Sequence, residues 1–160
     1  MISSKIKTQE ELAEMIGREK ASGKKIGFTN GCFDIIHRGH VKYLEDAKKD
    51  CDLLLIGVNS DDSVRRIKGE GRPVNPQEDR IKVLAAFESV DFLTIFDDET
   101  PQVLIKKLTP DVLFKGGDWK EEDIVGADHV RDNGGRVRVI PYLEGYSTTE
   151  LIERLKKTKK

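Results

Sequence analysis

Two of the chain's three histidines, His37 and His40, stand three residues apart within TNGCFDIIHRGHVKYL, Thr29 to Leu44. If a helix begins near Gly39, both side chains face one pocket, from its first turn and from the residue just before it. Imidazole or imidazolium N–H groups placed there can donate to phosphoryl oxygens. The surrounding residues suit the same ligand. Gly31 allows a tight turn and close backbone approach, Asp34 can cap or brace the loop, and Gly39 opens a helix whose free N–H groups favour an anion. Two other readings of the pair are an ordinary polar helix start and a zinc site built from Cys32, His37 and His40. The zinc reading lacks a fourth ligand at a familiar spacing.

Three further segments carry similar chemistry. IKGEGRPVNPQEDR sets Lys68, Arg72 and Arg80 around two glycines and two prolines, as a flexible basic loop leading into a helix. Alone it reads as a solvated loop; after a strand exit it reads as a lid closing on phosphate. In KGGDW, Gly116 and Gly117 let the backbone approach a ligand while Asp118 can accept hydrogen bonds from ribose hydroxyls. GYSTTELIERL offers Ser147 or Thr148 as a helix N-cap with Glu150 in the first turn, which serves a plain cap and a phosphate site equally well.

These segments need a scaffold that brings them together. Five short apolar runs closed by Gly, Asn or Asp predict strands over Lys25–Thr29, Leu53–Val58, Phe92–Phe96, Val112–Lys115 and Val137–Ile140. Helical periodicity fills the gaps: Val41, Leu44 and Ala47; Ile81, Leu84 and Ala85; Val103, Leu104 and Lys107 before Pro110. Alternating strands and helices predict a Rossmann-like α/β domain, a doubly wound sheet of about five parallel strands with helices on both faces. In such sheets ligands sit beyond the carboxyl ends of the strands, where strand order reverses. NGCFD, NSDDS, KGGDW and PYLEGYSTT all fall at strand exits. A helix over about Gln9–Lys20 lies in a lead-in spanning 1–24, and one over about Thr148–Lys157 closes a 25–158 core, with a frayed Lys-rich tail. The expectation is a single domain over 1–160.

The totals narrow the function. The 28 basic and 29 acidic residues nearly cancel, which removes the uniform field of a nucleic-acid coat. No apolar run reaches about 18 residues and the N-terminus lacks a signal-peptide build, so a cytoplasmic protein without membrane contact is expected. Cys32 and Cys51 are expected as thiols in a reducing compartment.

Taken together, these motifs resemble the nucleotidyltransferase superfamily defined by HxGH, which includes cytidylyltransferases and class I aminoacyl-tRNA synthetases. From about Thr8 to Leu155 the likeness is closer, to the adenylyltransferase domains that make ADP-heptose for lipopolysaccharide. The resemblance implies a single nucleotidyltransferase domain that transfers AMP from ATP to D-glycero-β-D-manno-heptose 1-phosphate with release of pyrophosphate. It implies nucleotide binding by Asn30, Gly31, Cys32, Phe33, Gly39, Gly116, Gly117, Asp118, Ser147, Thr148 and Thr149. His37, His40, Lys68 and Arg72 would stabilise the reacting phosphates, and Lys68, Arg72, Arg80 and Asn59 would meet the sugar phosphate. Mg²⁺ would be held mainly through ATP phosphates, with no protein metal ligand. The chain resembles the stand-alone form of the domain, with a separate heptose 7-phosphate kinase upstream, and dimers are common in that family. Glycerol-3-phosphate cytidylyltransferases share HxGH, Arg80 and the STT segment but typically carry arginine where this chain has Tyr142. The rival readings are an enzyme for another phosphorylated alcohol, such as glycerol 3-phosphate, and a non-catalytic nucleotide-binding regulator.

Overall fold

The computed structural model describes residues 1–158. Five strands form one parallel sheet: β1 (Ile26–Gly31), β2 (Leu53–Asn59), β3 (Phe92–Phe96), β4 (Val112–Gly116) and β5 (Arg136–Ile140). Their order is β3-β2-β1-β4-β5. The chain winds outward from β1 through β2 to β3, then returns to lay β4 on the other side of β1. The strand order switches between β1 and β4, and in such sheets ligands bind outside the carboxyl ends of the strands beside that switch.

Crossover helices cover both faces. α2 (Arg38–Lys48) and α4 (Gln77–Ala85) place Leu44, Ala47, Ile81, Leu84 and Ala85 in a core with Leu54, Ile56, Val58 and Phe114. On the opposite face α1 (Gln9–Ala21), α5 (Gln102–Leu108) and α6 (Ala127–Asp132) pack Leu12, Ile16, Leu104, Ile105 and Val130 against Phe28, Leu55 and Leu113. Burial on both faces is why the strands read as nearly continuous apolar runs.

The expected lead-in belongs to this core. Ile6 bridges Leu93 in parallel beside β3, and Lys5 Nζ donates to the carbonyls of Phe87 and Val90 at 2.9 and 2.7 Å. α1 begins with a reciprocal cap in which the Glu11 N–H donates to Thr8 Oγ1 and the Thr8 N–H to Glu11 Oε2. Leu12 on its inner face is fully buried, a contribution of about 1.5–3 kcal/mol for a side chain of that size.

Two helices escaped the periodicity. α6 is short, and α3 (Asp61–Lys68) occupies residues expected to be a strand exit and the start of a flexible loop. Ser60 caps α3 by accepting the Ser63 N–H at 3.0 Å, acidic residues fill its first turn, basic ones its last, and Gly69 ends it at φ 89°. Its apolar signal is a single i, i+3 pair, Val64 and Ile67, of which only Val64 is buried, the other buried side chain being the polar Ser63. α7 (Thr148–Lys157) matches the expected closing helix, while residues 159–160 of the expected frayed tail lie outside the described residues.

Candidate active site

The exit of β1 is held rigidly by two buried charges. Asp34, 2% exposed, accepts the N–H groups of Val74 and Asn75 at 2.9 Å and the Arg72 Nε–H at 2.6 Å. Burial pushes this carboxyl up, but the Asn75 and Val74 N–H groups with the Arg72 guanidinium outweigh it and hold it below the usual carboxylate range. Arg80, 1% exposed, donates to the carbonyls of Asn75, Cys32 and Asn59 at 2.6–2.9 Å and to Asp61 Oδ1 at 2.8 Å. Together they bind the β1 exit, the β2 exit and the entry to α4 into one unit.

That network corrects three expectations. Arg80 is not a cation facing substrate, since its donors are committed to protein acceptors in the interior. Asn59 is likewise buried, its side-chain amide donating to Ser63 Oγ at 2.9 Å and its carbonyl held by Arg80. The special backbone conformation of the turn falls on Phe33, at φ 46°, rather than on Gly31. A left-handed non-glycine residue costs about 1–2 kcal/mol. The Asp34 and Arg80 anchors on either side, and burial of the Phe33 ring, offset that cost. Gly31 serves instead to make room for that ring, since a Cβ there would come within 3.0 Å of it.

His37 is the N-cap of α2, and its Nδ1 accepts the Gly39 N–H at 3.1 Å. The His37 N–H in turn donates to His40 Nδ1 at 3.3 Å, and the two rings lie 4.0 Å apart between centroids. With both Nδ1 atoms accepting, the neutral tautomer carries its proton on Nε2 in each ring. Burial, and then the neighbouring His37, push His40 down to about 4. Burial also lowers His37, against the Glu150 carboxylate. The pair is therefore two oriented neutral donors at neutral pH. The helix N–H that was expected to be free for an anion at Gly39 is taken by His37.

A stability consequence follows. Folded His40 resists protonation down to about 4, whereas an unfolded histidine protonates near 6.5, so its contribution is complete above about 6.5 and declines as pH falls toward about 4. Between pH 7 and pH 5 the wild type is expected to lose about 1–2 kcal/mol through this group alone. Urea unfolding at the two pH values should show a smaller pH dependence in His40→Asn by about that amount; an identical dependence in both proteins would contradict it.

The other expected segments reach the same edge. α7 begins beside the histidines: a Cβ on Gly39 would meet the His37 ring at 2.9 Å and Tyr146 Cβ at 3.1 Å, so only glycine lets these turns approach. Ser147 Oγ accepts the Glu150 N–H at 3.1 Å, the Thr148 hydroxyl donates to the Ile35 carbonyl at 3.4 Å, and Thr149 is exposed. Gly116 and Gly117 lie under the Tyr142 ring, where a Cβ on Gly117 would stand 2.6 Å from Tyr142 Cε2. Asp118 is exposed at the tip of that loop. Asn30 and Cys32 are half-buried at the β1 exit. Lys68 is exposed at the end of α3, and its charge acts on the Cys32 thiol, as do those of Arg80 and Arg72. Burial dominates there and raises the thiol. Among the described residues no three His, Cys, Asp or Glu side chains gather as a metal site, so Cys32 does not join the histidines as the zinc alternative required.

Two residues were missed. Tyr43 on α2 shares a 2.7 Å hydrogen bond with Thr29 Oγ1, and burial raises its phenol. Lys115, next to the two glycines, sits with its ammonium 4.9 Å from the Trp119 ring centroid. A lysine closing an otherwise apolar strand was the available signal.

A switch point in a five-stranded parallel sheet, edged by paired histidine donors and helix starts, defines a nucleotide-handling α/β domain. The chain belongs to the cytidylyltransferase-like family, which matches residues 28–154. It is 52% identical over 151 residues to the bifunctional protein HldE of Haemophilus influenzae, covering 94% of this chain and 32% of that protein. With the HldE of Pelobacter propionicus it shares 51% over 152 residues, 95% of this chain and 31% of the relative. The chain thus spans about a third of the length of the curated relatives it matches. A lipopolysaccharide core biosynthesis protein from Thermoplasma volcanium has a similar fold, with TM-score 0.63 at 24% identity over 78% of this chain and all of that one. So does the pantothenate synthetase of Thermus thermophilus, with TM-score 0.60 at 18% identity over 94% of this chain and 70% of that one.

Proposed function

We propose that the chain transfers AMP from ATP to D-glycero-β-D-manno-heptose 1-phosphate, giving ADP-heptose and pyrophosphate for lipopolysaccharide core synthesis. The observation that carries this reading is the histidine pair: two imidazoles with Nδ1 spent on backbone and Nε2–H left to donate, beside the first turn of α7. The near-half identity to HldE over almost the whole chain supports the choice of acceptor. Tyr142, in place of the arginine of glycerol-3-phosphate cytidylyltransferases, supports it further.

In the proposed reaction an oxygen of the sugar phosphate attacks the α-phosphorus of ATP, and the bond to the departing pyrophosphate breaks on the opposite side. A phosphate monoester loses its second proton near pH 6, so the nucleophile is already ionised and needs no general base. Catalysis then consists of alignment and charge stabilisation. His37 and His40 donate to phosphoryl oxygens, Ser147, Thr148 and Thr149 cradle the leaving phosphates, and Asp118 holds the ribose. Asn30, Gly31, Cys32, Phe33 and Gly39 line the phosphate path, with Gly116 and Gly117 beneath the nucleoside. Lys68 and the terminal nitrogens of Arg72 meet the acceptor, the Arg72 Nε–H remaining on Asp34. Magnesium, bound through the phosphates, would neutralise charge as the two anions approach.

No described helix is long and apolar enough to cross a membrane. A cytoplasmic homodimer, supplied by a heptose 7-phosphate kinase activity, completes the proposal.

Incubation with ATP, Mg²⁺ and each heptose 1-phosphate anomer, followed by mass detection, should yield ADP-heptose from the β anomer. Faster pyrophosphate release from CTP with glycerol 3-phosphate would overturn the assignment, and ATP binding without turnover on any phosphate would favour a regulator. Lys68→Ala is expected to raise KM for the sugar phosphate about 10–100-fold, the worth of one hydrogen bond to a charged group, with kcat little changed. Steady-state kinetics with unchanged KM and kcat would remove Lys68 from the site.

A further inference from the structure

Among the described residues Lys115 is a half-buried ammonium without an anionic partner. Three other half-buried lysines show what this chain ordinarily does with such a group. Lys5 donates to two carbonyls, Lys20 donates to the Thr109 carbonyl at 2.6 Å and pairs with Asp111 at 3.2 Å, and Lys48 pairs with Asp91 at 2.6 Å. A fourth, Lys7, lies within reach of the Glu11 charge. Among the described residues Lys115 has no hydrogen-bond acceptor and no carboxylate. The groups that act on it electrostatically are Cys32, whose thiolate would favour the ammonium but which burial keeps protonated, and Lys68, a second cation. Burial and, behind the opposing Cys32, Lys68 hold it below the usual lysine range. The Trp119 ring offers a cation–π contact worth about 0.5–1 kcal/mol at a partly exposed site. That is too little to offset desolvating an ammonium within the field of another.

The direction of approach matters as much as the charge. Leu113 packs in the core under α1, α5 and α6, and Phe114 in the core under α2 and α4. Alternation along β4 therefore sends Lys115 out on the Leu113 face. His37 and His40, at the start of α2, come to the strand exits from the other face. An in-line displacement needs anions held on opposite sides of the phosphorus, one attacking and one leaving.

Resting on the adenylyltransferase reading, we propose that Lys115 is an acceptor-binding residue that, with Lys68, holds the phosphoryl oxygens of the attacking sugar phosphate opposite the histidine-held pyrophosphate. Lys115→Met keeps an unbranched stem on Trp119 and removes the charge. It is expected to raise KM for heptose 1-phosphate about 10–100-fold, while KM for ATP moves less than about threefold, and Lys115→Arg should recover most of the loss. A measurement free of turnover accompanies it: acylation of Lys115 in the wild type, read by peptide mass spectrometry with a non-hydrolysable ATP analogue present. Heptose 1-phosphate should protect Lys115 at least severalfold, and unphosphorylated heptose should not. Protection by glycerol 3-phosphate in a wild type that makes no ADP-heptose would sink the heptose reading and leave the role of Lys115 standing. Equal acylation with and without every phosphate tested, or a KM effect confined to ATP, would overturn the inference.

Discussion

Replacing His40 by alanine is expected to lower turnover about 10²–10³-fold while leaving the chain folded, the loss typical of removing one positioned donor at a centre of developing charge. The reason lies in the geometry. His40 Nδ1 is tied to the His37 backbone, so the ring presents Nε2–H in a fixed direction without reorganising as the reaction proceeds. Its pKa of about 4 makes it a neutral donor, which separates this mechanism from one using an imidazolium. A neutral donor predicts kcat/KM flat with pH above about 7, where the acceptor phosphate is about nine-tenths ionised. An essential imidazolium would make the rate fall as pH rises through that range. Stopped-assay pyrophosphate release across about pH 6.5–8.5 decides between them, and near-normal ADP-heptose formation by His40→Ala would remove the histidine from the mechanism.

Arg80→Leu should produce the largest stability loss of any single change at the site, about 3–5 kcal/mol. It strands the carbonyls of Cys32, Asn59 and Asn75, which lose their donor together, and it leaves Asp61 without its partner. Arg80→Lys should recover little of this, because one ammonium cannot span acceptors spread around a planar guanidinium. Chemical denaturation gives the test: an unchanged urea midpoint in Arg80→Leu would show that the network does not hold the loop. Where the variant still folds, activity should fall as well, because the Cys32 carbonyl sits beside the strained Phe33 turn that precedes the histidines.

The sheet was legible because buried parallel strands are apolar on both faces and closed by turn residues. All five strands lie within two residues of their expected ends. α3 was not, because its one apolar pair, Val64 and Ile67 in eight mostly charged residues, is too short a periodic signal and the helix is held by its Ser60 cap and charge order instead. Arg80 was misread for a related reason. Among Lys68, Arg72 and Arg80 the sequence shows three equivalent cations, and burial alone separates them. Its place four residues before Leu84, on the inner face of α4, was the one local hint.

By itself, then, the sequence determined the alternation of strands and helices, the four polar strand exits and the placing of His37 and His40 together at one of them. These depend on composition and short-range spacing, which a linear chain records directly. Only the tertiary structure decided that β4 lies against β1, that Arg80 and Asp34 brace the loop, that both histidines keep Nδ1 on backbone and are neutral donors, and that Lys115 shares the Leu113 face of β4 and meets Trp119. Pairing between distant strands, desolvation and the direction of a side chain are properties of neighbours far apart in sequence, and they come into being when the chain closes on itself.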